Sequence, residues 1–409
     1  MARPLSHLRI CDFTGQLAGA GATRFLAAFG AQVIRIEDPV RKGSWDILRG
    51  NTPYKDERRG VDLGGAFNNH NVEKLGITIN MREPRGIELV EDLIRISDVV
   101  TENFAVGVLA GWGLTFERMR ELKPDIIYAS NCGFGHRGPY RNYKTWGPIV
   151  QAVCGLTFSS GLPDQLPAGW GYSYMDHHGG NFMVIAILAA LVHRHKTGEG
   201  QWIDLATTEA GASLLGPAIL DYTVNGTRMR RDGSPDSNHS PDMAPHAIYP
   251  CLGDDEWVAI ACRTDAEWDR LATRLDLDAD RRSHYSTLAH RLAGQDDLDS
   301  AVLSWTQARN KFDVQRELLA LAIPSAAVQK PHERIDSDPA TSEWGLWPTV
   351  THTAMGDVRV DGLGSHLSAT DWSMTKGAPC LGEHTDYVLA DILGLSTTEI
   401  AALHADGVV

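Results

Sequence analysis

The stretch that most constrains the fold is residues 8–37, LRICDFTGQLAGAGATRFLAAFGAQVIRIE. Its first six residues predict a β-strand, TGQLAGAG predicts a glycine-rich turn, and ATRFLAAFG predicts a short helix that ends at Gly30. QVIRIE predicts a second strand. Strands joined by a helix in this way lie parallel in one sheet, so the chain must build a parallel sheet covered by helices.

The same alternation continues through the first half of the chain. GITINM, DVVTENF and DIIYASNCGFG predict strands, whereas PRGIELVEDLIRIS and FERMRELKP predict helices. This pattern is typical of a doubly wound α/β fold. Near residue 225 the sequence becomes polar and rich in Gly, Pro, Ser and Asp, and this segment, NGTRMRRDGSPDSNHSPDMAPH, predicts a long loop. The segment after it, AIYPCLGDDEWVAIAC, predicts a β-hairpin.

Composition excludes several classes of protein. A chain of 409 residues is long enough for more than one core, and its net charge of −14 argues against nucleic acid or an anionic membrane as a partner. The longest apolar run, residues 182–192, is too short to span a bilayer, and no signal peptide is evident. Six cysteines without a CxxC pair argue against a disulfide scaffold and favour the cytoplasm.

Residues 172–201, YSYMDHHGGNFMVIAILAALVHRHKTGEGQ, place an acid and two histidines before an apolar segment. We expect a buried helix that begins near Gly179. Asp176 then has three possible roles: a helix cap, a metal ligand with His177 and His178, or a covalent nucleophile. Adjacent histidines do not share a helix face, which argues against the metal. The cap and the nucleophile are compatible roles.

Two further motifs leave alternatives open. Gly19 and Gly21 begin a dinucleotide-binding fingerprint, but Arg24 stands where its third glycine belongs, so the signal for NAD binding is weak and the pattern favours a simple strand-to-helix turn. HRGPYRNYK, residues 136–144, carries cationic side chains among aromatic ones. It predicts either a solvated loop or a cradle for phosphate groups.

Taken in order, the segments LRICDFTGQLAG, GAQVIRIEDP, ITINMREPRG, TENFAVGVLAGWGL, NCGFGHRGPY, AALVHRHKTGEGQWIDLATTEA and APCLGEHTDYVLADILGLSTTEIAALHADGVV resemble the family III CoA-transferases. This group contains formyl-CoA transferase and carnitine CoA-transferase. The resemblance implies a Rossmann-like large domain, a smaller α+β domain inserted in it, and an interlocked homodimer. We expect residues 1–224 and 335–409 to form the large domain and residues 225–334 the small one.

The resemblance also implies an activity, the movement of CoA from an acyl-CoA donor to a carboxylic acid acceptor. Asp176 matches the family's nucleophile, which forms an aspartyl anhydride and then an aspartyl-CoA thioester, and Gln16 matches a glutamine of the active site. Contacts with CoA are implied at Leu17, Ala18, Asn103, Phe104 and Lys144 and, from adjacent family segments, at Arg35, Lys74 and Leu75. We expect no metal, no prosthetic group and no membrane partner.

The chain departs from the family pattern in places where CoA phosphate is held. Gly111 and Asp38 stand where arginines are common, although Arg41 and Lys42 follow closely. Residues 233–245, GSPDSNHSPDMAP, replace the glycine-rich loop of formyl-CoA transferase, which makes oxalate and formate poor candidates as substrates.

Two other functions compete with CoA transfer. A 2-methylacyl-CoA racemase of this fold needs a His-Asp pair after the GPY segment, where this chain has Trp146 and Gly147, so the required base is missing. A non-catalytic CoA-binding protein would need neither Asp176 nor Gln16.

Overall fold

The computed structural model describes residues 3–160, 166–169, 173–226 and 239–409. The chain forms two compact units. The first comprises Met1–Leu156, Gly169–Pro217 and Ala340–Val409, and the second Thr157–Ala168 and Ala218–Pro339. The domain boundaries expected from the sequence stay predictions. The fold class itself, an α/β sheet unit with a smaller second unit, is confirmed.

The first part of the chain alternates strands and helices. In chain order its elements are β1 (Arg9–Asp12), α1 (Ala18–Ala28), β2 (Gln32–Glu37), a 3-10 turn (Lys55–Glu57), α2 (Gly65–Asn71), β3 (Leu75–Thr78), α3 (Pro84–Arg95), β4 (Val99–Glu102), α4 (Val108–Gly111), α5 (Phe116–Leu122), β5 (Ile127–Cys132), α6 (Gly147–Val153), α7 (Tyr174–Thr197), β6 (Trp202–Ala206), α8 (Thr207–Ala212), a 3-10 turn (Ser213–Leu215) and α9 (Gly216–Asn225). The predicted β1–α1–β2 unit is confirmed.

Six of these strands form one parallel sheet in the order β3-β2-β1-β4-β5-β6. The order reverses between β1 and β4. Chain segments that leave these two strands therefore diverge, and they open a crevice at the carboxyl edge of the sheet, which is where ligands bind in doubly wound folds.

One face of the sheet is covered by α1 and α7, which pack directly on each other. The core there contains Ile10 and Val33 of the sheet, Leu26 of α1, and Met183 and Ile187 of α7. Small residues allow the close approach of the two helices. A β-carbon on Gly180 would stand 2.8 Å from the carbonyl oxygen of Ala18, so only glycine fits without a shift of α1.

The second unit has its own sheet and core. In chain order its elements are β7 (His246–Pro250), β8 (Trp257–Ala261), α10 (Asp265–Arg274), α11 (Ala279–His284), α12 (Leu288–Ala293), α13 (Gln295–Thr306), α14 (Lys311–Ala320), β9 (Ser325–Ala327) and a π-helical turn (Glu333–Ser337). The predicted hairpin is confirmed, because β7 and β8 pair antiparallel and β9 extends the sheet. Val258, Trp268 and Leu298 lie in the core.

The last part of the chain belongs to the first unit. Its elements are α15 (Pro339–Trp344), β10 (Thr349–His352), β11 (Gly356–Arg359), α16 (Thr385–Tyr387), a π-helical turn (Val388–Ile392) and α17 (Thr397–Ala405). Several hydrogen bonds attach this segment to the edge of the parallel sheet. Thr78 N–H donates to Thr385 Oγ1 at 3.0 Å, and Asn80 N–H donates to the carbonyl of Val408 at 2.7 Å.

The long helix α7 corrects two expectations. It begins at Tyr174 rather than near Gly179, so Asp176 lies inside its first turn and Ser173 occupies the N-cap position. It is also not buried on every side, since Ile185 and Val192 are 62% and 55% exposed. By length and hydropathy alone α7 could cross a membrane, but the same is true of a core helix, and α7 packs against α1.

Candidate active site

A cavity of about 250 Å³ lies at the carboxyl edge of the parallel sheet, within the first unit. Segments that follow β1, β4, β5 and β6 line it, together with the first turn of α7. Its described lining residues are Gln16, Leu17, Ala18, Asn103, Phe104, Ala105, Val106, Asn131, Cys132, Gly133, Phe134, Arg141, Tyr143, Lys144, Thr145, Trp146, Val150, Asp176 and Thr207. Seven residues predicted from the sequence thus meet here: Gln16, Leu17, Ala18, Asn103, Phe104, Lys144 and Asp176.

Two hydrogen bonds join the turn after β1 to the turn after β4. Gly15 N–H donates to Asn103 Oδ1 at 2.8 Å, and Asn103 Nδ2 donates back to the Gly15 carbonyl at 3.0 Å. This reciprocal pair bridges the point at which the strand order reverses. It holds Gln16, whose φ of 53° lies in the left-handed region, at the cavity wall. Such a backbone is strained for a non-glycine residue and needs support.

Part of that support comes from a buried ion pair. Asp46 Oδ2 accepts the backbone N–H of Gln16 at 3.0 Å and the Arg35 Nη2 at 2.7 Å. Arg35 also donates to the Thr14 carbonyl at 2.7 Å. Its guanidinium is fully buried, and the carboxylates of Glu37 and Asp46 help to raise its pKa against the opposing effect of burial. Arg35 therefore fixes the turn that carries Gln16.

None of the three predicted CoA contacts Arg35, Lys74 and Leu75 lines the cavity. The Lys74 Nζ is buried behind α1, where it donates to the Ala20 carbonyl at 3.1 Å. Burial lowers the pKa of Lys74 to about 7. Leu75 packs against the sheet core. As none of the three lines the cavity, the structure gives no support to direct contacts between them and CoA.

The segment after β4 presents Asn103 and Phe104. The Phe104 N–H donates to Glu102 Oε2 at 2.7 Å, and Tyr128 OH donates to the other carboxylate oxygen at 3.0 Å. Burial raises the pKa of Glu102 to about 7. The Phe104 ring lies 5.1 Å from that of Trp45 and 6.0 Å from that of Trp112. These contacts fix the direction in which Asn103 and Phe104 face the cavity.

Asp176 enters the cavity from the first turn of α7. Burial raises the pKa of its carboxyl to about 6, while a hydrogen bond from the Ser173 side chain acts in the opposite direction. Gly147, the first residue of α6, lies directly against it, and a β-carbon there would stand 2.7 Å from Asp176 Oδ2. The carboxylate thus occupies space that only a glycine leaves open.

Asn131 and Thr207, two polar residues that meet at the cavity wall, were not predicted from the sequence. Thr207 Oγ1 donates to Asn131 Oδ1 at 2.8 Å, and Thr207 also packs against Gly179, one turn after Asp176. Within the described residues the buried Nδ2 of Asn131 has no hydrogen-bond partner. Asn131 is the penultimate residue of β5 and Thr207 directly follows β6, so the rule that ligands bind at the carboxyl ends of strands was the available signal.

The loop between β5 and α6 brings cations to the cavity. Tyr143 N–H donates to the Tyr140 carbonyl at 2.8 Å, which closes a turn around Arg141. The rings of Tyr140 and Tyr143 pack against Phe134 at 5.6 and 6.0 Å. Arg141 and Lys144 both line the cavity, so this loop is not merely a solvated surface segment.

A second cavity of about 400 Å³ shares Phe104 with the first. Aromatic and apolar side chains form most of its wall, and its charged lining residues are Glu37, Asp38, Arg41 and Arg82. Arg82 is an exposed side chain 3.5 Å from the Asp38 carboxylate. Phe104 thus lines both the cavity that contains Asp176 and the cavity that contains the two arginines.

The histidines beside Asp176 point to different neighbours. The His177 ring lies tilted against the His70 ring, with the ring centroids 5.6 Å apart, and His178 Nε2 lies 3.1 Å from the Ala210 carbonyl. Among the residues that the structure describes, no group of three or more His, Cys, Asp or Glu side chains could hold a metal ion.

The fold and cavity define a doubly wound α/β protein with a carboxylate at its ligand crevice, and comparison with known proteins specifies the family. The sequence profile of CoA-transferase family III matches residues 5–385. The chain belongs to CoA-transferase family III, as the resemblance of its segments predicted.

Individual relatives match along their whole length. The succinyl-CoA–D-citramalate CoA-transferase of Chloroflexus aurantiacus is 32% identical over 100% of this chain and 98% of its own. The succinate–glutarate CoA-transferase of Agrobacterium fabrum is 31% identical over 97% of both chains. The crystal structure of a CaiB/BaiF family protein from Brucella suis superposes with a TM-score of 0.86 at 28% identity, covering 96% of this chain and 100% of that one.

Proposed function

We propose that the protein is an acyl-CoA:carboxylate CoA-transferase in which Asp176 is the nucleophile. The observation that carries the proposal is the position of Asp176, a half-buried carboxylate that shares one cavity with Gln16 and Asn103. With a pKa of about 6 the carboxyl is mostly ionised at neutral pH, as a nucleophile must be. Partial burial leaves it poorly solvated and therefore ready to attack.

The proposed reaction passes CoA through the enzyme in balanced steps. An Asp176 oxygen attacks the thioester carbonyl of the donor, and the C–S bond breaks to give an aspartyl anhydride and CoA thiolate. The thiolate attacks the aspartyl carbonyl, which releases the donor acid and leaves aspartyl-CoA. An acceptor carboxylate attacks that thioester and expels the thiolate again. The thiolate then attacks the acceptor's carbonyl, and Asp176 leaves as a carboxylate.

Each addition creates a negatively charged oxygen that needs hydrogen-bond donors. The Asn131 amide nitrogen, a buried donor at the cavity wall, supports this role within the described residues. A buried donor without a partner costs about 1–3 kcal/mol, so a ligand that accepts from it regains this energy. The Gln16 side chain, held by the strained turn, is the second group we assign to the reacting centre.

The two cavities support a position for CoA. We place the thiol end beside Asp176 and the nucleotide end in the second cavity, with Phe104 between them. Aromatic side chains suit the adenine ring, and arginines bind phosphates through their forked guanidinium groups. Arg41 and Arg82 then bind the CoA phosphates in place of the arginines that the family commonly has at positions 38 and 111.

The relatives suggest which acids to test first. The names of both transferases above contain dicarboxylates: succinate, citramalate and glutarate. We propose acids of this class as donor and acceptor acyl groups. We assign no metal and no prosthetic group to the reaction, since carboxylate and thiolate perform every bond change themselves.

We also propose a homodimer, with support from apolar side chains left exposed on the single chain. On α7 these are Ile185 and Val192, at 62% and 55% exposure, and on α9 Leu220 and Val224, at 62% and 76%. Exposed apolar residues spaced by four or seven along a helix favour a protein partner. Light scattering coupled to size-exclusion chromatography tests the dimer.

A cytoplasmic location fits the state of the cysteines. All six are free thiols, as a reducing compartment requires.

The competing functions are separated by one variant pair. Asp176→Asn and Asp176→Ala should lose CoA transfer and retain the affinity for CoA measured by calorimetry. If the protein only binds CoA, the wild-type protein itself will show no CoA transfer. In D₂O the transferase should leave the acyl α-carbon without deuterium, whereas a racemase would label it. Trp146 and Gly147, where the His-Asp pair of a racemase would fall, offer no side chain that could take this proton.

A further inference from the structure

Arg141 and Lys144 have no counterion among the residues that the structure describes. Neither has a hydrogen bond, ion pair or ring contact in the part of the chain that the structure describes, although both line the cavity of Asp176. Carboxylates outnumber cations in this chain, 52 Asp and Glu against 38 Lys and Arg. Arg137, in the same loop, has a carboxylate partner in Asp204 at 3.8 Å. The two unpaired cations are therefore available to an anionic ligand.

The two side chains suit different anions. A guanidinium presents parallel N–H donors that match both oxygens of one carboxylate, whereas an ammonium acts as a point charge. Arg141 lies in the turn closed by the Tyr143–Tyr140 hydrogen bond and held by the packing of both rings on Phe134. Its backbone thus belongs to a hydrogen-bonded turn. A cavity of about 250 Å³ leaves room for only a short acyl group beside the thiol end of CoA.

We propose that Arg141 is the residue that selects dicarboxylic acids, by binding the carboxylate that does not react. This inference rests on the proposed CoA transfer. One carboxyl group of the acid is joined to Asp176 or to CoA, and the other pairs with the Arg141 guanidinium. Donor and acceptor acyl groups occupy the same cavity in turn, so Arg141 binds the free carboxylate of each. Binding the remote carboxylate also orients the reacting one toward Asp176.

The test compares acyl-CoAs that differ only in this remote group. Succinyl-CoA is matched with butyryl-CoA, and glutaryl-CoA with valeryl-CoA. The rate of CoA attachment to the protein is followed in single turnovers by rapid quench and intact-protein mass spectrometry. A charge-assisted carboxylate contact predicts that the wild-type protein reacts roughly 10- to 150-fold faster with each dicarboxylate ester. Arg141→Gln should reduce this ratio to near one, and Arg141→Lys should restore part of it.

Two controls exclude other roles for Arg141. Arg137→Gln removes a charge from the same loop, from a side chain that is 86% exposed and does not line the cavity, and should keep the wild-type ratio. The Kd of free CoA should be unchanged in Arg141→Gln, because CoA lacks the remote carboxylate. An equal loss with both members of a pair, or a weaker affinity for CoA, would mean that Arg141 serves the phosphates or the loop and would overturn the inference.

The outcomes also separate this inference from the proposed function. If the wild-type protein attaches CoA equally fast from succinyl-CoA and butyryl-CoA, transfer stands and selection by Arg141 is wrong. If no acyl-CoA of the panel gives an adduct at Asp176, the transferase proposal fails and this inference fails with it.

Discussion

Gly147 lies against Asp176 so closely that a β-carbon at position 147 would stand 2.7 Å from the Asp176 Oδ2. The carboxylate of Asp176, the proposed nucleophile in the first turn of α7, therefore occupies the space in which a methyl group on the first residue of α6 would lie. The contact explains why Gly147 cannot carry a side chain while Asp176 keeps its position.

Gly147→Ala should therefore slow CoA transfer by displacing the carboxylate. A displacement of about 1 Å at a reacting group costs up to 10²-fold in rate, and we expect kcat to fall by at least about 10-fold. Gly111→Ala is the matched control, because a β-carbon there meets nothing within 4 Å. Equal activity in the two variants would show that the observed position of Asp176 is not the reactive one.

The pH dependence of the first chemical step should report Asp176. Its pKa of about 6 means that the ionised nucleophile is lost as the pH falls below that value. The single-turnover rate of CoA attachment should fall about 10-fold per pH unit below pH 6 and level off above pH 7. A rate that stays constant down to pH 5 would assign the attack to another group.

The same pKa makes a prediction about stability. The carboxyl of Asp176 has a higher pKa in the folded protein than its ordinary value of 3.8, so the free energy of unfolding decreases as the pH rises through this interval and the cost persists above pH 6. Asp176→Asn removes the charge. At pH 8 it should stabilise the protein by about 1 kcal/mol, after allowance for partial solvent access, and by nothing at pH 3.5. Urea denaturation at the two pH values measures this difference.

Arg35 should behave as a structural residue. Arg35→Gln leaves the buried carboxylate of Asp46 without its cation, which should lower the free energy of unfolding by about 3 kcal/mol. It should also release the backbone of Gln16 and lower kcat. Arg41→Gln, by contrast, should leave the free energy of unfolding within about 0.5 kcal/mol of wild type. Unchanged stability in Arg35→Gln would contradict the positioning role.

Arg41 and Arg82 should instead determine affinity for the nucleotide end of CoA. Each change to Gln should raise the Kd of CoA by about 10-fold, the value of one charge-assisted contact, and leave the Kd of pantetheine unchanged. Arg85→Gln is the control, because Arg85 is paired with Glu88 on the exposed side of α3. If the Kd of pantetheine rises equally, the nucleotide end of CoA does not bind in the second cavity.

Much of the fold could be predicted from the sequence because its signals are local. The alternation of apolar strands with helices fixes a parallel sheet, and the Gly-Asp-Asp turn fixes the β7–β8 hairpin. The start of α7 was less accessible, since MDHH has no strong helix signal of its own. The packing of Met175 against Val150 and Leu156 holds the first turn there, with Ser173 at the N-cap position. Residues 233–238, part of the segment that replaces the glycine-rich loop of formyl-CoA transferase, lie outside the described residues.

The candidate site was predictable where family motifs are continuous in sequence, as for Gln16, Asn103 and Asp176. It was not predictable where tertiary contacts decide the role. Arg35 carries a charge that a sequence cannot distinguish from a phosphate ligand, and only its hydrogen bonds to Asp46 and Thr14 show its structural use. Asn131 and Thr207 meet across two strands, 76 residues apart.

The most direct test of the central claim is the mass of the intact protein after incubation with succinyl-CoA and glutaryl-CoA. Borohydride reduction and peptide mapping run in parallel. We predict a CoA-sized adduct, reduction of the acid at Asp176, and the absence of both in Asp176→Asn. An adduct that maps to another residue, or transfer that continues in Asp176→Asn, would contradict the account.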